Sequence, residues 1–189
     1  LEECRRVPLP DSTKEKPNVG VDVKPPDVNM SGEDFGVVFE PGEQRTCSTG
    51  HVRFGLQAIK GISREAIRSI VQEREGHGEY ASIHDFCERL DHAKTNQKAC
   101  ACLIRAGALD SMHGVDARAS MVSVLDEAYA AGKSLAADKS AGQNMLFGGG
   151  GEEVGEEETT VATLPSIEAW NDMTRLAQEK DALGFHISG

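Results

Sequence analysis

GLQAIKGISREAIRSIVQERE, from Gly55 to Glu75, reads as a short apolar turn of helix, a glycine-centred bend and a second helix. Gly61 falls where the chain must reverse, and glycine adopts positive φ there without a steric penalty. Ser63 is placed to cap the following helix, its hydroxyl accepting from an amide two or three residues on. Beyond the cap, Ala66, Ile67, Ile70 and Val71 recur at helical spacing and predict one buried stripe. Arg64, Arg68 and Gln72 lie four apart on another face and stay in water. The unpaired N–H groups of the bend and first helical turn then point outward beside Lys60 and Arg64. That is an anion site, with phosphate its natural occupant. The competing reading is an ordinary helical turn whose glycine only reverses the chain.

At 189 residues the chain is long enough for one or two domains and a modest core. It opens at Leu1 and ends at LGFHISG, which reads as a piece of a larger protein. The net charge of −11 argues against a nucleic-acid binder, but its distribution does not. Residues 51–131 hold 10 Lys and Arg against 11 Asp and Glu, and the acid excess lies elsewhere, notably in GEEVGEEE. A near-neutral region can bind a nucleic-acid backbone locally, although it lacks the basic stripe of a self-sufficient DNA binder. Cys4, Cys47, Cys87, Cys100 and Cys102 show no C-x-x-C spacing and read as reduced thiols. The six histidines lack metal-ligand spacing. No apolar run has membrane-spanning length and no signal peptide is evident, so the expected location is cytoplasmic.

Residues 1–50 read as a short helical end, a proline-broken loop and a first strand, Phe35 to Phe39. Val52 to Phe54 is its expected antiparallel partner across a long polar loop. Residues 51–131 carry the bend already described, then a short helix from Ser82 to Leu90 with Ser82 as its cap. A third helix places Ala99, Cys102, Leu103 and Ala106 on one stripe and stops at Gly107, where AGALDS echoes the first bend. A fourth begins near Asp116. The unit of helix, glycine hairpin and helix therefore occurs twice. Two such hairpins can grip phosphates on both strands of a duplex, which one cannot do. Residues 132–165 shift to Ala, Gly, Ser and Glu and read as a flexible linker. Within it, GQNMLFG sets Leu146 and Phe147 in a solvated tether, where they either pack back or anchor in a partner's pocket. Residues 166–189 read as a helix capped by Ser166, with Trp170, Met173 and Ala177 on one side and Gly184 as its stop.

PPDVNMSGEDF, VRFGLQAIKGI, DFCERLD, LIRAGALDS, LDEA, GQNMLFG and EKDALGFHISG together, in this order, resemble the alpha subunits of bacterial DNA polymerase III, the replicative C-family polymerases. The resemblance implies a mainly α fold. Its parts are the end of the fingers region with a small β-hairpin, a tandem helix-hairpin-helix domain, a linker with the internal clamp-binding motif, and a helix leading to an OB-fold. It implies that Lys60, Gly61, Ile62, Ser63 and Arg64 contact the backbone of duplex DNA, and that Gly107, Ala108 and Leu109 do so from the second hairpin. It also implies that Gln143, Leu146 and Phe147 bind the sliding clamp. Ser63 stands where a second hairpin glycine is common in that family, the second hairpin has no basic cluster beyond Arg105, and Val7 to Lys24 is a longer segment than usual.

Under this reading the chain belongs to a DNA-directed DNA polymerase but holds no catalytic residues and no cofactor, the magnesium ions being expected in the parent enzyme. Duplex DNA, the sliding clamp and other holoenzyme subunits are its expected partners. Two alternatives compete. One is an interaction scaffold with purely structural hairpins. The other is a helix-hairpin-helix DNA glycosylase, for which Asp85 or Asp91 would have to be the catalytic carboxylate.

Overall fold

The computed structural model describes residues 22–39, 42–45, 50–146 and 163–184, without the side chains of residues 140–146. Among these, three short strands and six α-helices form around one core. The strands are β1 (Val23–Lys24), β2 (Gly36–Val38) and β3 (His51–Arg53), in sheet order β1-β3-β2. The expected antiparallel pair is present, with Val37 opposite Val52. The parallel strand β1 was not expected, because Pro25 and Pro26 follow it immediately and prolines tend to confine strands to edges.

Helix α1 (Arg64–His77) is capped as its sequence dictates: Ser63 Oγ accepts from the Ala66 amide. Ala66, Ile67 and Ile70 are buried, whereas Val71 is only half-buried. Helix α2 (Ile83–Arg89) takes its cap from Ser82, and Asp85 accepts from the Ala81 amide, one residue earlier than a standard capping box. Tyr80 sits edge-on to Phe86 beneath the Arg89 guanidinium and donates to the Ile70 carbonyl, tying α1 to α2. Helix α3 (Gln97–Arg105) buries Ala99, Cys100, Leu103 and Ile104. Two more elements lie outside the sequence expectation: a four-residue helix, α4 (Asp110–His113), and a 3-10 turn at Val115–Ala117 that moves the start of the next helix to Arg118.

That helix, α5, runs from Arg118 to Leu146. The expected linker beginning at residue 132 is thus helical through residue 146. Gly132 marks close packing rather than a break: a Cβ there would come within 2.3 Å of the Cys87 carbonyl oxygen on α2. The remaining linker residues through 162 lie outside the described residues.

Helix α6 (Asp172–Leu183) is capped by Asn171, not Ser166. It buries Glu179, Ala182 and Leu183, while Met173, expected on its packed side, is 83% exposed. Gly184 stops it at φ +91°, as expected.

The segment Asp27–Asp34 laces the two halves together. Arg74 donates to the carbonyls of Val28 and Ser31, Asn29 and Tyr80 exchange two hydrogen bonds, and the Val28 amide donates to the Ala108 carbonyl.

Candidate nucleic-acid interface

The first bend is built outward. Gly61 has φ +83°, and Lys60, Gly61, Ser63 and Arg64 are exposed, with Ile62 half-buried. Among the described residues the backbone amides of Gly61, Ile62, Ser63, Arg64 and Glu65 have no hydrogen-bond acceptor. Helix formation explains the last two, since the first amides of an α-helix have no partner within it. The Lys60 amide is not part of this set, because it donates to the Ala182 carbonyl at 2.8 Å.

The cations around the bend differ in how free they are. Arg64 donates to the neutral Gln57 side chain and keeps its charge uncompensated. Arg68 is paired with Glu33 at 3.1 Å. The side chains of Lys60, Lys98 and Arg105 have no hydrogen bond or ion pair among the described residues. Lys60, Gly61, Cys102, Arg105, Asp181 and Ala182 line a cleft of about 190 Å³ between the bend, α3 and α6. Cys102 faces the bend closely: a Cβ on Gly61 would lie 3.1 Å from its Sγ. Arg105 enters the sequence reading only as the lone basic residue beside the second hairpin, and Lys98 does not enter it. Their signal was the spacing Lys98–Cys102–Arg105, one stripe of α3 with the thiol at its centre.

The second bend is built inward, contrary to the expectation for it. Gly107, Ala108 and Leu109 are all buried. The Gly107 and Ala108 amides donate to the carbonyls of Ile104 and Leu103. Arg118 lies over Gly107, so closely that a Cβ there would come within 2.2 Å of its Nη2. Asp110 and Asp27 add negative charge beside the turn: Asp110 binds Arg118 in bidentate fashion, and Asp27 accepts from Ser111 Oγ. Desolvation raises the Asp27 pKa, only partly opposed by the hydrogen bonds it receives. The Leu109 amide has no acceptor among the described residues, but Leu109 is fully buried and a phosphate does not reach it.

The other nominated residues have structural duties. Asp85 accepts from the Ala81 amide and pairs with Arg89, and Asp91 pairs with Lys94 at 2.6 Å. The Lys94 partner holds the Asp91 carboxyl below its ordinary pKa. Asp91 thus lacks the raised pKa that a buried catalytic acid would show, and Asp85 is committed to Ala81 and Arg89, so the glycosylase reading finds no support in them. Among the described residues no group of three or more His, Cys, Asp and Glu side chains is arranged to hold a metal ion. No helix among the described residues is long and apolar enough to cross a membrane. Gln143 and Leu146 lie in the last turns of α5, their side chains undescribed, and Phe147 lies outside the described residues.

A family described as a helix-hairpin-helix motif matches residues 20–120, which contain both bends. The chain is also similar to part of DNA polymerase III subunit alpha from Deinococcus radiodurans, 39% identical over 88% of the chain and 11% of the relative. The corresponding subunit of Caulobacter vibrioides is 35% identical over 90% of the chain and 13% of the relative, and that of Thermus aquaticus 36% over 90% and 12%. The chain therefore spans only about an eighth of the length of these curated relatives.

Proposed function

Because the chain belongs to the helix-hairpin-helix family, we propose that it is the duplex-holding part of a DNA-directed DNA polymerase of the polymerase III alpha type. It grips the sugar-phosphate backbone and does not read bases. One observation carries this reading: the open amides run from Gly61 to Glu65, through residues that are exposed apart from the half-buried Ile62, beside the charges of Lys60 and Arg64. Amides and point charges of this kind recognise phosphate oxygens, which every sequence presents alike. A replicative enzyme must move through every sequence, and such contacts suit that task.

Nucleotide transfer itself belongs to the longer protein, with its own metal ions. The motif GQNMLFG, with Gln143, Leu146 and Phe147, supports a second tether, a sliding clamp that takes the glutamine amide at its pocket rim and the two apolar side chains inside. Two weak attachments joined on one chain raise avidity by roughly a hundredfold or more when both engage. Other holoenzyme subunits and a cytoplasmic setting complete this reading.

Fluorescence anisotropy of the full chain on labelled duplexes of unrelated sequence tests the DNA half. Similar affinities on all of them, weakening with salt and lost in Lys60→Gln/Arg64→Gln, are the expected result. A scaffold with no DNA role would bind none of the duplexes. Leu146→Ala/Phe147→Ala should abolish clamp capture while leaving duplex binding intact.

A further inference from the structure

A protein holding a duplex through two pseudo-symmetric turns needs both turns open. Here the second is closed by its own packing: its two leading amides are spent on Leu103 and Ile104, Arg118 lies over Gly107, and Asp110 and Asp27 stand beside it. Any second point of contact lies elsewhere on the surface that carries Gly61.

Helix α3 offers it. Its inner face is committed to the core through Ala99, Cys100, Leu103 and Ile104. Its outer stripe is Lys98, Cys102 and Arg105, and the middle member rests against Gly61. Arg105 shares the cleft with Lys60 and Gly61. Lys98 stands about 10 Å from Arg105 along the helix axis, on the same face. Both side chains are exposed and have no partner among the described residues. An unpaired surface cation is the kind of group that displaces counterions from a nucleic-acid backbone. Acids are present at the margins: Asp181 in the cleft, Glu65 in the first turn of α1, and Asp126, which engages Gln97 at the start of α3. They leave Lys60, Arg64, Lys98 and Arg105 as the cationic majority of this face.

We propose that Lys98 and Arg105 on α3 supply the second phosphate contact of the duplex-binding surface, in place of the buried turn at Gly107–Leu109. The contact is asymmetric: one turn through its amides, one helix through its charges. This rests on the backbone-binding reading of the first bend.

The test is the salt dependence of duplex affinity, measured on the full chain by anisotropy at several salt concentrations. Each phosphate contact contributes about 0.9 to the slope of log affinity against log salt. Lys98→Gln/Arg105→Gln should make that slope shallower by about 2, while the charge-keeping exchange Lys98→Arg/Arg105→Lys leaves it in place. If the glutamine variant keeps the wild-type slope while Lys60→Gln/Arg64→Gln reduces it, the proposal is overturned and the first bend keeps its role. If neither glutamine variant changes the slope, the reading of the first bend falls as well. Loss of slope in the charge-keeping variant would also overturn the proposal, since packing rather than charge would be responsible.

Discussion

The amide of Lys60 donates to the carbonyl oxygen of Ala182 at 2.8 Å, so the bend that carries the candidate phosphate site is fastened from behind by the C-terminal helix. That helix is held in turn by a buried charge network. Glu179, 2% exposed, accepts from Arg118 Nη1 at 2.8 Å, and Arg118, 3% exposed, also grips both carboxylate oxygens of Asp110. The two bends are thus linked: Arg118 covers the second while its partner anchors the helix behind the first.

Breaking this link by Glu179→Ala leaves a buried guanidinium short of one partner, a change that costs about 3–5 kcal/mol in comparable buried pairs. Urea unfolding should record that loss. Amide hydrogen exchange at Lys60 should quicken as α6 loosens, whereas exchange at Ile70 in the core should follow global stability alone. Replacing both partners, Arg118→Met with Glu179→Leu, should recover only part of the loss, because Glu179 no longer leaves an unpaired charge but the half-buried Asp110 carboxylate loses its guanidinium.

The two bend glycines should respond to alanine in opposite ways. Both have φ near +80°, so each substitution carries a backbone penalty of about 1–2 kcal/mol. At Gly107 the new Cβ also meets Arg118 Nη2 at 2.2 Å and Asp110 Oδ2 at 2.9 Å, inside a network that cannot yield cheaply. At Gly61 its nearest neighbour is Cys102 Sγ at 3.1 Å, on a half-exposed side chain. Gly107→Ala should therefore lower the unfolding midpoint well beyond Gly61→Ala. Duplex affinity should show the reverse order, since only Gly61 belongs to the open arc.

Much of this arrangement was legible in the residues. Gly61 and Ser63 fixed the first bend and its cap, because local chemistry decides both: a left-handed turn favours glycine, and a hydroxyl satisfies an orphan amide. The resemblance located both bends, but not which one faces water. That depends on Arg118 reaching back over Gly107 and on Val28 docking at Ala108, contacts between residues far apart in sequence that no periodicity encodes. The same limit explains α6, whose buried face includes a glutamate that is accounted for only by its pairing with Arg118, far away in sequence. Lys98 and Arg105 were readable as a stripe, but their importance came only from the closure of the other turn.

Gly132 tests the extension of α5 beyond its expected end. In an exposed helix interior, replacing glycine with alanine stabilises by about 1 kcal/mol. Here the added methyl would lie 2.3 Å from the Cys87 carbonyl oxygen and 2.9 Å from the Glu88 amide, both backbone atoms of α2. Gly132→Ala should thus reverse the usual sign and destabilise by about 1–3 kcal/mol, as overpacked contacts do. Thermal unfolding followed by circular dichroism would show it. A stabilised variant would mean that α2 and α5 do not meet at this position.

Stability should fall as the solution is acidified below neutral pH, and His113 should carry part of that fall. Its Nε2 accepts a hydrogen bond from the Ile83 amide at 3.1 Å, which only the unprotonated nitrogen can do. Burial and, secondarily, the neighbouring His84 push its pKa below the ordinary histidine value, and burial does the same for His92, which packs edge-on to Tyr129. The unfolded chain takes up these protons near pH 6.5 while the folded one resists, so between that pH and the lower folded values the unfolded state binds more protons. Stability therefore rises with pH through this window and is lost on the way down. Unfolding midpoints measured between pH 7.5 and about 5 should decline, and His113→Gln, whose amide oxygen can still accept from Ile83, should flatten the decline in part. His92 should contribute to the slope that remains. If His113→Gln leaves the pH profile unchanged, the imidazole at the head of α2 is not buried in the way its contact with Ile83 requires.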